Sequence, residues 1–296
     1  MHKDMMMGNW ADRKQYTEVL GSKMAHVAMG QGNPVLFLHG NPTSSFLWRD
    51  VMAEVEGSAA CFAPDLIGMG DSDKLPESGP ERYTIAEHAR YLDAWIDAVL
   101  PPDPVVLVIH DWGGALGFNW ARRNAGRVRG IAYMETIVRP MDWDEFNQDA
   151  RPVFEGLRSP AGEEMILEKN IFVERILTGS IMRDLLEDEM TEYRRPFLEA
   201  GEGRRPTLTF PRQIPLGGEP ANVVEMAAAS YEWLKGTDVP KLLVDADPGA
   251  IMKGAVLEDA RKFANQTEVQ VKGSHFIQED SAAEIGSHIR DWLAGI

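Results

Sequence analysis

Residues 105–114, Val-Val-Leu-Val-Ile-His-Asp-Trp-Gly-Gly, constrain the fold of this chain more than any other stretch. An unbroken run of Val, Leu and Ile with no polar alternation predicts a strand buried on both faces, as in the middle of a parallel sheet. The run stops at His110-Asp111-Trp112-Gly113-Gly114, and residues 115–123 resume with helical spacing. A strand that passes into a helix over so few residues, with small residues after the turn, has the shape of a nucleophile elbow with Asp111 at its apex. Asp is also a preferred helix N-cap, so the rest of the chain has to decide between the two.

Similar short apolar runs recur at residues 35–38, 61–64, 130–134, 241–244 and 268–271, with a looser alternation over 19–29. Between them lie helical signals. Ser45 is placed to cap a helix through Phe46, Leu47, Met52 and Val55. Thr84-Ile85-Ala86-Glu87 is a capping box, and the helix it opens carries Ile85, Ala89, Leu92, Trp95, Ile96 and Val99 on one face. Pro101-Pro102 ends it. The glycines of residues 65–72 match neither a Walker loop nor a dinucleotide fingerprint and predict a tight turn. Alternating strands and helices predict an α/β fold with a mainly parallel sheet and helices on both faces.

From about residue 139 to 215 that rhythm stops. Short helices are expected at 142–150, 152–157, 163–170, 172–177 and 187–199, and residues 204–215, with three prolines, read as irregular. The alternation returns with helices at 219–234 and 282–293. The expected organisation is a core of residues 1–138 and 216–296 interrupted by a helical cap of 139–215.

At 296 residues, 44% hydrophobic and 26% charged, the chain can bury one large α/β core with such an insertion. Its net charge of −16 argues against nucleic acid and anionic membrane surfaces as partners. A single cysteine, Cys61, excludes an internal disulfide and reads as a small buried residue. The first fourteen residues hold three consecutive methionines but no apolar core of a signal peptide, and no 18-residue apolar run occurs. A cytoplasmic location is therefore expected. The seven histidines are scattered, so no metal site is expected.

Functional groups of doubly wound sheets collect beyond the carboxyl ends of the strands. Asn41, Asp111, Glu135, Asp247 and His275 all fall there. Nucleophile, acid, then histidine is the chain order of an α/β-hydrolase triad.

At these residues the chain resembles a known family. Residues 39–45 (His-Gly-Asn-Pro-Thr-Ser-Ser), the loop 64–72, residues 110–114 and Ser274-His275-Phe276 are similar to the haloalkane dehalogenases of the α/β-hydrolase superfamily. So are Arg204-Arg205-Pro206-Thr207-Leu208, Pro211-Arg212-Gln213-Ile214-Pro215 and Gln278-Glu279-Asp280, and the similarity runs from about residue 35 to 293. Ile109 departs from the glycine that the general elbow motif prefers two residues before the nucleophile. The resemblance implies a mostly parallel eight-stranded sheet flanked by helices, with an inserted helical cap. It implies hydrolysis of haloalkanes to alcohol, halide and a proton, with no cofactor and no metal. The partners implied are a small halogenated hydrocarbon and water, in a monomer or weak homo-oligomer.

A carboxylate is poorly suited to opening an ester or peptide, because an anhydride would form, but well suited to displacing a leaving group from saturated carbon. Asp111 would thus become an alkyl ester. The Asn41 amide and the Trp112 indole N–H are donors for the departing halide; the plainer roles are an Asn holding a turn and a Trp filling core. His275 would activate the water that hydrolyses the ester, with the backbone N–H groups of Asn41 and Trp112 as the oxyanion hole. Glu135 is favoured as the acid that orients His275, because Tyr133-Met134-Glu135 resembles the branch whose cap this chain shares; Asp245 and Asp247 lie near the family's other placement. By resemblance Phe154, Phe172, Pro211 and Ile214 line the pocket, Phe276 joins them as the neighbour of the histidine, and Ala150, Ser180 and Ile251 match tunnel positions.

An epoxide hydrolase on the same fold also uses an Asp nucleophile, but needs acids reaching down from the cap, and Tyr193 is the only tyrosine between residues 139 and 215. A cofactor-free luciferase-type monooxygenase shares this fold and similar triad motifs. A hydrolase-fold receptor for a small hydrophobic ligand would tolerate loss of the triad, and here the triad is intact.

Overall fold

The computed structural model describes residues 10–296, so the signal-peptide reading lies partly outside the described residues, at 1–9. Eight strands are found among them: β1 (Gln15–Val19), β2 (Ser22–Met29), β3 (Pro34–Leu38), β4 (Ala60–Pro64), β5 (Val105–His110), β6 (Val128–Thr136), β7 (Lys241–Pro248) and β8 (Gln266–Gly273). They form one sheet in the order β1-β2-β4-β3-β5-β6-β7-β8. The β1/β2 and β2/β4 pairs are antiparallel and all others parallel. β5 is central, pairing Val106 with Val35 on one side and Gly130 on the other, and every residue in it is buried. Its lack of alternation follows from having no solvent-facing side.

Several local expectations are corrected. Residues 19–29 are not one strand: Leu20 and Gly21, both at positive φ (50° and 78°), turn β1 back onto β2. Ser44, not Ser45, caps the following turn, accepting from the Phe46 N–H, while the Ser45 hydroxyl meets Trp10 and Lys14. A 3-10 turn at Ser45–Trp48 precedes the helix Arg49–Val55. The capping box at Thr84 forms half as expected. Thr84 accepts from Glu87 N–H at 3.2 Å, but the Glu87 carboxylate accepts from Tyr83 N–H.

The chain makes no strand between Thr136 and Lys241 among the described residues. Residues 142–150 form turns instead of the expected helix. Asn147 and Glu145 accept from backbone N–H groups, and the Gln148 amide donates to three backbone carbonyls, so side chains outcompete the helical ladder. Conversely the stretch read as irregular holds the helix Arg205–Gln213. Pro206 lies in its first turn, where a missing N–H costs nothing, and only Pro211 interrupts it. Leu157, Ile166, Leu167, Phe172 and Leu208 form a small hydrophobic cluster of their own, apart from the main core around the sheet. The last helix starts at Ile277, earlier than expected, with a break at Ser281. Cys61 is buried and unpaired. No helix among the described residues is long and apolar enough to cross a membrane.

Candidate active site

The candidate residues converge at the carboxyl ends of the strands: Asn41 on the loop after β3, Asp111 at the first position of the helix that follows β5, Glu135 next to last in β6, and His275 on the loop after β8. Asp111 has φ 49° and Glu135 φ 39°, so both acids sit in left-handed backbone at the ends of neighbouring strands. That conformation is unfavourable for residues other than Gly, Asn or Asp and is held by its neighbours. Thr136 Oγ1 donates to the Asp111 carbonyl at 2.7 Å. Close approach is permitted by glycine: a Cβ on Gly40 would overlap the Asp111 carboxylate, and one on Gly114 would overlap the Thr136 side chain.

The Asp111 carboxylate accepts from the Asn41 backbone N–H at 2.7 Å and from that of Trp112. His275 Nε2 lies 3.5 Å from Asp111 Oδ2, and its Nδ1 lies 3.3 Å from Glu135 Oε2. Glu135 is itself fixed by the N–H groups of Ala250 and Ile251, both at 2.9 Å, and of Met252 at 3.3 Å. The His275 carbonyl contacts His110 Nε2 at 2.9 Å. Burial pushes His110 down to about 3, so this imidazole is neutral and donates from Nε2.

Burial opposes charge on both Asp111 and His275, yet the two offset it for each other. The hydrogen bond and charge of His275 bring the Asp111 carboxyl below its usual range. Asp111 and Glu135, flanking the ring, raise His275 to about 9 despite burial. The resting site is an imidazolium between two carboxylates.

The competing acids are elsewhere. Asp247 is exposed, and the Asp245 carboxylate accepts from Arg261 and Gln270.

Above Asp111 lies a cavity of about 260 Å³. Asn41, Asp111, Trp112 and His275 line it, together with the expected pocket residues Phe154, Phe172, Pro211 and Ile214 and the expected tunnel residues Ala150, Ser180 and Ile251. Phe276 does not line it. Its fully buried ring packs behind the site, 4.6 Å from the His275 ring and 5.7 Å from that of His110. Sequence reasoning missed Ile137, Met141, Val153, Arg175 and Ile176, which also line the cavity. A helical signal was present for some: Ala150, Val153 and Phe154, then Phe172, Arg175, Ile176 and Gly179, recur at spacings of three and four.

Pro211 does more than fill space. Lacking an N–H, it leaves the carbonyl of Thr207, four residues earlier, without its helical donor. The Asn41 side-chain amide donates to that carbonyl at 3.2 Å, which fixes the amide beside Asp111. Its Oδ1 is buried with no partner. Among the described residues no three His, Cys, Asp or Glu gather in a way that could hold a metal.

The family model of the alpha/beta hydrolase fold matches residues 33–282. A haloalkane dehalogenase of Sphingobium indicum is 54% identical over 276 residues, covering 93% of each chain. One from Mycolicibacterium smegmatis is 52% identical, covering 96% of this chain and 92% of that one. The crystal structure of a haloalkane dehalogenase from Bradyrhizobium elkani superposes with a TM-score of 0.90 at 44% identity, covering 95% of this chain and 97% of that one.

Proposed function

We infer the reaction from the premise that this chain belongs to the haloalkane dehalogenases, within the α/β-hydrolase fold: it hydrolyses carbon–halogen bonds to alcohol, halide and a proton. The observation that carries the mechanism is the carboxylate at the elbow. Asp111 is ionised in the resting site and needs no base to attack. It displaces halide from a saturated carbon held in the apolar cavity, and the alkyl group stays on Asp111 as an ester. Asn41 Nδ2 and the Trp112 indole N–H receive the halide.

Alkylation changes the site electrically. Esterified Asp111 is neutral, so one of the two anions that keep His275 protonated is gone, and its pKa falls. The ring thereby becomes a base. It takes a proton from water as the water attacks the ester carbonyl, and the oxyanion forms against the N–H groups of Asn41 and Trp112, which already face that carboxylate. Glu135 stays against Nδ1 and supports the new imidazolium. Collapse frees the alcohol and restores Asp111.

Residues 139–215 act as the cap over this site, the protein is cytoplasmic, and it works as a monomer or weak homo-oligomer on small halogenated hydrocarbons without cofactor. An epoxide substrate is disfavoured because its alkoxide needs a cap acid: Tyr193 is buried against Glu279 and does not line the cavity. The test is halide release and acidification on 1-bromobutane, 1,2-dibromoethane, 1-iodohexane and styrene oxide, with and without chelator. Halide release from the haloalkanes, indifferent to chelator, is expected. Turnover of styrene oxide alone would overturn the assignment.

A further inference from the structure

His275 stands on a short loop, residues 274–276, between β8 and the last helix. One carboxylate ties that loop to the cap. Asp280 Oδ2 accepts from Ser274 N–H at 3.0 Å, and its Oδ1 accepts from Met182 N–H at 2.8 Å and Arg183 N–H at 3.2 Å. On the other side of His275, Phe276 N–H donates to the Ser180 carbonyl at 3.1 Å. The residues immediately before and after the histidine are therefore both fastened to segment 180–183, and Ser180 lines the cavity.

The fastening is itself anchored. Arg183 donates to the Glu279 carbonyl at 2.6 Å, to the Glu279 carboxylate, and to Glu189 at 2.7 and 2.8 Å. Glu279 is buried and also holds Arg49, at 2.6 and 2.7 Å, and Tyr193. Cap, base loop and the helix Arg49–Val55 thus meet in one buried network.

We propose that Asp280 is a positioning residue for the second half-reaction: it holds the His275 loop against segment 180–183 after the ester has formed. The need arises only then. In the resting site the imidazolium is gripped electrostatically from both ring nitrogens, by Asp111 and Glu135. Alkylation removes the grip on Nε2, the nitrogen that must meet the water. What remains is Glu135 on Nδ1 and the backbone of the loop, and Asp280 fixes the backbone. Alkylation itself needs no histidine, so Asp280 leaves it untouched. The proposal rests on the covalent mechanism above.

The experiment compares Asp280→Ala, Asp280→Asn and His275→Phe with wild type in single-turnover reactions with 1-bromobutane, following bromide, alcohol and intact mass. For Asp280→Ala, bromide release should stay within about twofold of wild type while ester hydrolysis slows about 10-fold or more. Displacing a catalytic group by ~1 Å costs on the order of 10²-fold. The alkylated enzyme should then accumulate at steady state. Asp280→Asn keeps one acceptor oxygen and should show the same split, smaller, which preserves the test if Asp280→Ala does not fold. A residue serving stability alone would lower the melting temperature without changing the partition between the two steps. Both steps slowing alike, or unchanged hydrolysis, overturns the positioning role. If instead His275→Phe gives no alkyl adduct on Asp111, the covalent mechanism is what fails.

Discussion

β5 and the helix Arg205–Gln213 both lead residues into the cavity, yet they are built in opposite ways. β5 is held by apolar burial on both faces and by ladders to β3 and β6, with no ionised group along its length. The helix begins on two buried arginines. Arg204 donates to the carbonyls of Leu167, Glu168, Phe197 and Leu198, and Arg205 pairs with Glu163 and Glu202. Arg212 adds Glu163 and the carbonyls of Leu157 and Ser159. The sheet is specified by apolar burial on both faces and by backbone ladders between strands far apart in sequence, such as Val35 with Val106 and Ile131 with Lys241. The cap is specified by directional polar contacts spanning tens of residues. Such a division places the candidate reacting groups at the ends of sheet strands and much of the pocket wall on the inserted helices.

Substitutions on the sheet side should break chemistry while leaving the fold standing. Asp111→Ala should abolish both turnover and any adduct. His275→Phe should release about one bromide per enzyme and stop, with the alkyl group retained. Intact mass and peptide mapping should place it in the segment containing Asp111. Steady turnover by His275→Phe would break the scheme. Glu135→Gln should lower kcat on the order of 10²-fold or more, as loss of an orienting acid does in other triads. Asp247→Asn should change little, since it lies away from His275. The reverse outcome in steady-state assays would move the acid to β7. Asn41→Ala and Trp112→Phe should each slow alkylation by roughly 10²-fold, the cost of one lost transition-state donor. Unchanged single-turnover bromide release would reduce either residue to packing.

On the cap side the ranking should invert. Arg204→Met strips donors from four carbonyls, of which the bonds to Leu167 and Phe197 are buried, and should destabilise by roughly 2–6 kcal/mol, at ~1–3 kcal/mol for each of those two. Urea unfolding reads that loss, while activity at low temperature should stay within a few-fold of wild type. A smaller effect separates the halves by pH. His275 is held at about 9, above its ordinary 6.5, so the stability it contributes is complete below about 6.5 and is lost as pH rises through about 9. The stability difference between wild type and His275→Phe should shrink over that range and stay flat below it.

The same division explains what can be read in the residues. β3 and β5 are legible because a doubly buried strand writes itself as an apolar run, and the elbow because Asp111-Trp112-Gly113-Gly114 changes periodicity within four residues. The preference for Glu135 over Asp247 comes from resemblance, and the geometry that bears on it, three backbone donors at residues 250–252, leaves no mark in composition. Helical spacing suggests a helix at 142–150 and three prolines suggest irregular chain at 204–215, yet turns form at the first and the helix Arg205–Gln213 at the second. Local side-chain bonds and a proline's position within a helix decide those cases. Adjacency to His275 puts Phe276 in the pocket, but adjacent residues on a loop point to different sides. The Arg49–Glu279 contact joins residues 230 apart, and nothing local announces it.

The imidazolium caught between two carboxylates has a consequence for the timing of products. On the proposed mechanism, below about pH 9 the enzyme would enter each cycle already carrying on His275 the proton that the overall reaction makes, on paper, from water. Alkylation of Asp111 on that covalent mechanism would shed that proton, because its second counter-charge is lost, and the later attack of water would reload the ring. Acid should therefore emerge in solution together with halide and ahead of alcohol. In weakly buffered stopped-flow mixing, an indicator dye should show a proton burst coincident with bromide, with 1-butanol lagging behind. His275→Phe should give the bromide burst with the dye silent.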